Sequence, residues 1–237
     1  MSGLLYHIKV LREFYLYCVK RIKLACFRVT HGQLINAMKK EASCFFYIPF
    51  DSLNVLGIGH EGVVFTDNTK AYKVFFCRLT NIDILQKVSD MSEMCSVLLP
   101  IEIKSTENYD IISRPFLDSN SHIVSMVELR DFMTECKTHG LLYWDFKKEN
   151  FLETDGKSRL IDYGISFEQY EETVFKQSCL KAFLLASCPN MKPWLFKFVS
   201  KQIDNGVYSE SYFGHQISNV LKQENFIDLL FVEKKHV

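Results

Sequence analysis

The segment at residues 143–152 carries side chains suited to phosphate chemistry. Asp145, Lys147 and Asn150 lie within six residues of one another in a polar loop between apolar segments. A carboxylate can accept a proton, a lysine can stabilise a transferring phosphoryl group, and an asparagine amide can bind a metal. Asp162 closes a second short apolar segment and suits a Mg²⁺ ligand.

A glycine-rich segment with the spacing G-x-G-x-x-G-x-V precedes this loop by about 80 residues. Glycine allows the backbone to approach a ligand closely, so that its amides can face phosphate oxygens. The pattern also occurs in dinucleotide-binding folds, where the strand leads into a helix. Here a strand leads to another strand, which favours a hairpin lying over a nucleotide. The predicted nucleotide-contacting residues of this segment are Leu56, Gly57, Ile58, Gly59, Gly62 and Val64.

Lys73 lies within the apolar segment Ala71-Tyr72-Lys73-Val74, which reads as the next strand. A lysine in an apolar strand is costly to bury unless its ammonium group meets an anion. In the alternative interpretation, Lys73 lies on an edge strand and points to water. Glu93 in the following helix is the predicted carboxylate partner, and Asp90 is a second candidate.

The elements around these residues predict two lobes with an α+β arrangement. Short segments rich in β-branched and aromatic residues predict strands at 45–50, 54–58, 63–66, 71–76, 97–104 and 109–114. Apolar periodicity predicts helices at 80–96, 122–139, 172–187, 191–204 and 213–231. Asp155-Gly156 is a favoured turn dipeptide and predicts a small hairpin.

Together, the four segments resemble the motif set of the protein kinase superfamily: glycine-rich loop, strand lysine, catalytic loop and D-F-G. The resemblance covers roughly residues 50–170. It implies a two-lobed protein-kinase-like fold, with an antiparallel-sheet N-lobe containing one helix and a shortened, mainly helical C-lobe.

The resemblance also implies a role for each residue. The glycines and Lys73 would hold the phosphates of ATP, with Lys73 paired to Glu93 and with the amide of Phe116 beside adenine. Asp145 would be the catalytic carboxylate, with Lys147 near the γ-phosphate. Asn150 and Asp162 would bind Mg²⁺.

Several residues depart from the pattern of the superfamily. Tyr143-Trp144 replaces the usual His-Arg before the catalytic aspartate, and Tyr163 replaces the middle Phe of D-F-G. The missing Arg argues against control by a phosphorylated activation loop. No Ala-Pro-Glu follows, and the segment after Gly164 is short for a full C-lobe. The chain is therefore interpreted as a reduced or divergent kinase.

Three functions follow from this interpretation. The favoured one is transfer of the γ-phosphate of ATP to a protein Ser/Thr hydroxyl, because Asp145-Phe146-Lys147 resembles the D-x-K of Ser/Thr protein kinases. A glycolipid acceptor is the first alternative, since the short C-lobe is similar to that of small bacterial kinases of lipopolysaccharide-core sugars and of minimal effector kinases. A nucleotide-binding pseudokinase scaffold is the second alternative, suggested by the bulky Trp144 beside Asp145.

The first 40 residues contain eight basic side chains and a single acidic one, although the whole chain has no net charge. Apolar residues recur at three- and four-residue steps over 4–29, which predicts a basic amphipathic helix. This helix either contacts an anionic membrane surface or packs on the domain that follows. We therefore divide the chain into a helical extension at 1–43 and a kinase-like domain at 44–237, with lobes of about 44–115 and 116–237.

Composition and cysteine spacing bear on the cellular compartment. The eight cysteines are dispersed without metal-binding spacing, which favours reduced thiols. Neither a signal peptide nor an apolar segment of membrane-spanning length is visible. We expect a cytoplasmic protein, with or without peripheral membrane contact, and no nucleic-acid partner.

Overall fold

The structure is a computed structural model, and it describes residues 31–119, 121–122, 124–206, 219, 222–223 and 225–231. The predicted helix at 4–29 lies outside the described residues, as does most of the basic arm at 1–40. Of the predicted helix at 213–231, the structure describes the end, as a helix at Phe226–Phe231.

The chain divides into two compact units. Among the described residues, the first unit comprises 31–78 and 104–111, and the second comprises 79–103 and the residues from 112 onward. This division differs from the predicted lobes because residues 79–103 belong to the second unit. The reason lies in their hydrogen bonds: the amide of Leu160 donates to Val97 O at 2.8 Å, and the amide of Leu99 donates to the Tyr163 hydroxyl at 2.7 Å.

The first unit contains helix α1 (Gly32–Phe46) and strands β1 (Asn54–Ile58), β2 (Gly62–Thr66) and β3 (Lys70–Phe75). The three strands pair in order as antiparallel neighbours. Helix α1 buries Ile35, Met38 and Ala42 in the same apolar core as residues of β2 and β3. Residues 32–43, which we assigned to the extension, thus belong to the core of this unit.

The predicted strand at 45–50 is wrong. Helix α1 continues to Phe46, Tyr47 adopts a left-handed conformation with φ 53°, and a short 3-10 helix follows at Phe50–Ser52. Phe46 stays helical because its ring packs against Tyr72 at a centroid distance of 5.1 Å. Aromatic residues favour strands in general, but tertiary packing overrides that preference here.

Strands β4 (Glu102–Ser105) and β5 (Asp110–Pro115) complete a five-stranded antiparallel sheet with the order β1-β2-β3-β5-β4. The chain passes from the second unit to the first within β4, and back to the second unit within β5. Together with the helices, this sheet confirms the α+β class. The predicted strand at 97–104 is shorter than expected, because residues 97–101 form turns and extended chain outside the sheet.

The second unit contains five helices among the described residues. They are α2 (Ile82–Met91), α3 (Met126–Thr138), α4 (Glu172–Ser187), α5 (Pro193–Asp204) and α6 (Phe226–Phe231). The predicted bounds of α4 are confirmed, and the predicted helices at 80–96 and 122–139 are each shorter in the structure. No described helix has both the length and the apolar character needed to cross a membrane.

Two small antiparallel ribbons position the polar loop of the second unit. Strand β6 (Leu141–Tyr143) pairs with β9 (Phe167–Gln169), and β7 (Phe151–Thr154) pairs with β8 (Lys157–Leu160). The β7–β8 turn is the predicted one, with positive φ at both Asp155 and Gly156. Buried aromatic rings around Tyr143 form the core beneath these ribbons: Phe132, Phe146, Phe151 and Phe167.

Candidate functional site

The polar loop between β6 and β7 brings the predicted catalytic residues together. The ammonium nitrogen of Lys147 lies 2.7 Å and 2.8 Å from the two carboxylate oxygens of Asp145. Asn150 Nδ2 donates to Asp145 Oδ2 at 3.0 Å and to Asp145 O at 2.9 Å. Asp145 is mostly enclosed, with 13% of its side chain exposed, whereas Lys147 is 56% exposed. The carboxylate is therefore fixed, while the lysine can reach solvent or a ligand.

Tyr143 packs beneath this loop and bonds to it. In the resembled family, a histidine occupies this sequence position. The fully buried ring of Tyr143 packs on Phe146 and Phe167, and its hydroxyl donates to Asp145 O at 3.1 Å. The same hydroxyl accepts from Asn150 Nδ2 at 3.0 Å. Burial, together with the nearby negative charges of Asp162 and Asp145, raises the pKa of Tyr143 well above its usual value. The phenol thus stays neutral and can both donate and accept.

The two predicted metal ligands are joined by the backbone. The amide of Ile161, next to Asp162, donates to Asn150 O at 2.9 Å. The hydrogen bonds of the Asn150 side chain within the described residues all use Nδ2, which leaves Oδ1 for a cation. An amide oxygen and a carboxylate are ligands that Mg²⁺ prefers when phosphates and water complete its shell. The residues therefore fit a magnesium ion, although the described residues contain no cluster of three His, Cys, Asp or Glu side chains able to hold a metal.

Two further residues fix the backbone around Asp162. The Tyr163 hydroxyl accepts from the amide of Leu99 at 2.7 Å and donates to Leu99 O at 3.3 Å. Arg114 Nε donates to Ile161 O at 2.9 Å, which places a guanidinium close to Asp162. Burial lowers the pKa of Arg114, and the negative charge of Asp162 opposes that shift.

The sequence alone did not identify Arg114 or Leu99 as parts of the site. Arg114 lies in the segment 113–117, which the resemblance implies as the hinge beside adenine, but its contact with the backbone next to Asp162 was not predicted. Leu99 acts through its backbone. A charged residue directly after the buried segment Ile111-Ile112-Ser113 was the available signal for Arg114.

The glycine-rich segment forms the predicted hairpin in the first unit. The loop between β1 and β2 is closed by a hydrogen bond from the Gly59 amide to Gly62 O at 2.9 Å. A Cβ atom on Gly62 would lie 2.0 Å from Val74 O, so a side chain at this position would collide with β3. The structure therefore requires glycine at 62 for close strand packing. At Gly57 an added Cβ meets no atom within 4 Å.

Three predicted nucleotide-contacting residues lie in one row across the sheet. Val64 on β2 pairs with Gly57 on β1 and with Lys73 on β3. Residues directly opposite each other on paired strands project from the same face of a sheet. Gly57, Val64 and Lys73 thus share one face, as contact with a single ligand requires. Leu56 and Ile58 lie in β1, and Leu56 is 50% exposed next to an irregularity in the strand pairing.

Lys73 pairs with a carboxylate that was not predicted. Its Nζ lies 2.8 Å from Glu61 Oε2, at the tip of the glycine hairpin, and 5.0 Å from the centre of the Phe75 ring. The Lys73 side chain is only 15% exposed, so the interpretation with Lys73 pointing to water does not hold. Glu93 lies in the turn after α2, in the second unit, and its pairing with Lys73 stays a prediction. Phe116, beside the predicted hinge, follows β5 in the second unit.

Trp144 differs from the rest of the loop because its indole Nε1 is buried and has no hydrogen-bond partner among the described residues. Its backbone amide donates to Ser166 O at 3.2 Å, so the loop keeps its hydrogen-bonded conformation beside the bulky ring. Asp145, Lys147 and Asn150 converge beside this ring, and the pseudokinase alternative that Trp144 suggested stays a prediction.

The sequence matches no protein-family model, and a comparison with curated proteins gives no match. A functional interpretation therefore depends on the motifs and on the arrangement of the residues described above.

Proposed function

We propose that this protein is a kinase with a two-lobed protein-kinase-like fold, which transfers the γ-phosphate of ATP to a hydroxyl group. The single observation that carries the proposal is the convergence of Asp145, Lys147 and Asn150 around the buried Tyr143 hydroxyl. The same three residue types at these spacings form the catalytic loop of the resembled family. Additional support comes from the glycine hairpin and from the sheet row that contains Lys73.

Asp145 is suited to receive or orient the proton of the acceptor hydroxyl, because Asn150 holds Oδ2 of its carboxylate while Oδ1 contacts the exposed side chain of Lys147. Lys147 can release the carboxylate and place its charge beside the transferring phosphoryl group, since more than half of its side chain is exposed. Phosphoryl transfer depends chiefly on such positioning and charge stabilisation. A Mg²⁺ ion held by Asn150 and Asp162 would neutralise phosphate charge.

Lys73 would bind the phosphates of the nucleotide. In the structure its charge is balanced by Glu61, a carboxylate at the hairpin tip. A triphosphate offers a stronger anion at the same sheet face, so Lys73 would exchange Glu61 for phosphate oxygens. The backbone amides of the hairpin would then face the phosphates, because Gly62 keeps the two strands close.

A protein Ser/Thr hydroxyl is the favoured acceptor, and Lys147 two residues after Asp145 supports it. A glycolipid hydroxyl is the alternative, and it is separated from the first by the labelled product. We expect the proposed enzyme in the cytoplasm, as the dispersed cysteines of the sequence suggest.

The test is transfer of label from γ-labelled ATP in the presence of Mg²⁺, first to generic protein and then to a glycolipid extract. Asp145→Asn should lower transfer by about 10²- to 10⁴-fold, the range for loss of a general base. Lys73→Met should weaken ATP binding and lower transfer. The matched controls are Asp155→Asn, in the hairpin turn, and Lys70→Met, on the same strand as Lys73; both should retain activity.

Equal transfer by the wild type and by both site variants would refute the assigned site. Absence of transfer to every acceptor, with ATP still raising the melting temperature, would instead identify a nucleotide-binding scaffold. Retention of ATP binding in Lys73→Met would refute the role of that lysine.

A further inference from the structure

Helix α5 in the second unit presents apolar side chains to solvent. Trp194 is 57% exposed, Phe198 is 58% exposed and Leu195 is 36% exposed. Trp194 and Phe198 are four residues apart and therefore lie on the same side of the helix, one turn from each other. Single exposed apolar residues are ordinary on protein surfaces, whereas a group of exposed aromatic residues on one helix indicates a contact surface.

The opposite side of α5 is anchored to the rest of the unit. Ile203 is buried, and Asp204 Oδ1 pairs with Lys181 Nζ of α4 at 2.6 Å. Gln177 Nε2, also on α4, donates to Asp204 O at 3.3 Å. Pro193 at the first helical position fixes the start of the helix. The helix that carries the exposed aromatic residues is therefore fixed to the rest of the unit.

Two lysines lie beside these apolar residues on α5. Lys197 lies one turn from Trp194, and Lys201 lies one turn from both Lys197 and Phe198; both are exposed. Neither forms an ion pair with any described residue. The single acidic residue of the helix, Asp204, is neutralised by Lys181. We call the set Trp194, Leu195, Lys197, Phe198 and Lys201 the α5 face; it is apolar and carries net positive charge.

We propose that the α5 face docks on an anionic lipid bilayer. Indole and phenyl rings lie favourably at the boundary between headgroups and acyl chains, and lysines beside them attract anionic headgroups. A second copy of the chain fits less well, because a symmetric contact would bring the lysines of both copies into one interface. The proposal does not depend on phosphotransferase activity.

The segment that leads into α5 contacts the chain next to the polar loop. Lys148, directly after Lys147, donates from Nζ to Pro189 O at 3.2 Å, and Pro189 lies in the segment that leads into α5.

The test uses the full chain and a probe located on the helix itself. The protein has two tryptophans, so Trp144→Phe leaves Trp194 as the single indole. Vesicles of mixed phosphatidylserine and phosphatidylcholine should shift its emission to shorter wavelength and reduce its quenching by acrylamide. Because the signal comes from Trp194, it separates docking by α5 from any contact made by residues 1–40.

Sedimentation with the same vesicles measures how strongly the chain partitions to the bilayer, and it does not require the Trp144→Phe substitution. Lys197→Gln with Lys201→Gln should weaken partitioning roughly 25-fold, at about fivefold for each lysine. Trp194→Ala with Phe198→Ala should weaken it about tenfold or more. The matched control for charge is Lys87→Gln with Lys157→Gln, two exposed lysines elsewhere in the unit, and it should change partitioning less than the α5 pair.

Three results would overturn the proposal. The first is sedimentation with unchanged Trp194 emission and unchanged partitioning of the α5 variants, which would assign binding to another segment. The second is a change in Trp194 emission with protein concentration in the absence of lipid, which would assign the face to a second copy. The third is an equal response to an acidic polypeptide, poly-glutamate, and none to vesicles, which would assign it to an acidic protein.

Discussion

The glycine hairpin of the first unit and the polar loop of the second unit hold their functional groups in different ways. In the hairpin, backbone proximity decides the arrangement, because Gly62 leaves no space for a Cβ atom beside β3. In the polar loop, side chains decide it, because Tyr143, Asp145 and Asn150 are connected by mutual hydrogen bonds. Substitutions of polar side chains should therefore destabilise the hairpin little, whereas substitutions that add volume should destabilise it strongly. The polar loop should show the opposite sensitivities.

The largest effect is expected for Gly62→Ala. The new Cβ would lie 2.0 Å from Val74 O and 2.9 Å from Phe75 Cα, so β2 and β3 would have to separate. We expect a loss of about 3 kcal/mol or more in the free energy of unfolding, measured by urea denaturation. Gly57→Ala is the matched control, since its Cβ meets no atom within 4 Å, and it should cost less than about 1 kcal/mol. Similar losses in both variants would contradict the role given to backbone proximity.

A smaller effect, spread over coupled residues, is expected in the polar loop. Asn150→Ala should cost about 2 kcal/mol in unfolding free energy, and Tyr143→Phe about 1 kcal/mol, because each removes buried hydrogen bonds. The double variant should cost less than the sum by at least about 0.5 kcal/mol, since the two side chains bond each other.

Tyr170→Phe serves as the control for loss of a tyrosine hydroxyl, because the hydrogen bond that Tyr170 donates to Glu172 is exposed. Its combination with Asn150→Ala should be additive. If Tyr143→Phe and Asn150→Ala are additive as well, the polar loop is not held as a connected network.

The smallest effect concerns the turn between β2 and β3, where a carboxylate supports the backbone. Burial acts to raise the pKa of Asp67, but hydrogen bonds from the amides of Lys70 and Thr69 and from the hydroxyls of Thr69 and Tyr72 outweigh it and lower the pKa from 3.8 to about 2. Because the folded-state pKa lies below the unfolded one, the stabilisation is present above about pH 4 and is lost as the pH falls toward 2.

Wild type and Asp67→Asn should therefore differ in unfolding free energy near neutral pH and converge as the solution is acidified. The difference should stay within about 1 kcal/mol, since three of the four hydrogen bonds to the carboxylate are exposed and therefore screened. Urea denaturation between neutral pH and about pH 3 measures it. A difference that widens on acidification would show that the carboxylate does not stabilise the turn in its charged form.

Local sequence signals predicted much of the fold. The turn at Asp155-Gly156 was predictable because both positions require a left-handed backbone, which aspartate tolerates and glycine favours. Helix α4 was predictable because its apolar periodicity is uninterrupted between Glu172 and Ser187. The continuation of helix α1 to Phe46, where we predicted a strand, was not predictable, because it depends on the contact of Phe46 with Tyr72, 26 positions away in sequence.

The candidate site shows the same limit. Asp145, Lys147 and Asn150 were predictable together because they lie on one loop, and local spacing largely determines their distances. The contact of Lys73 with Glu61 was not, since only the three-dimensional hairpin brings Glu61 beside the lysine, and the pairing of Lys73 with Glu93 stays a prediction. The contribution of Leu99 comes from its backbone, which sequence patterns do not identify.

The two hydrogen bonds between the Tyr163 hydroxyl and the backbone of Leu99 determine what fraction of molecules keeps the chain next to Asp162 in this conformation. Rotating the phenol outward would break two hydrogen bonds and leave the N–H and C=O groups of a residue that is only 6% exposed without partners. At about 1 to 1.5 kcal/mol for each bond, the outward state would be populated in roughly one molecule in a hundred. The carboxylate beside Tyr163 is thus in position almost all of the time, as expected for a site that is permanently assembled rather than switched on.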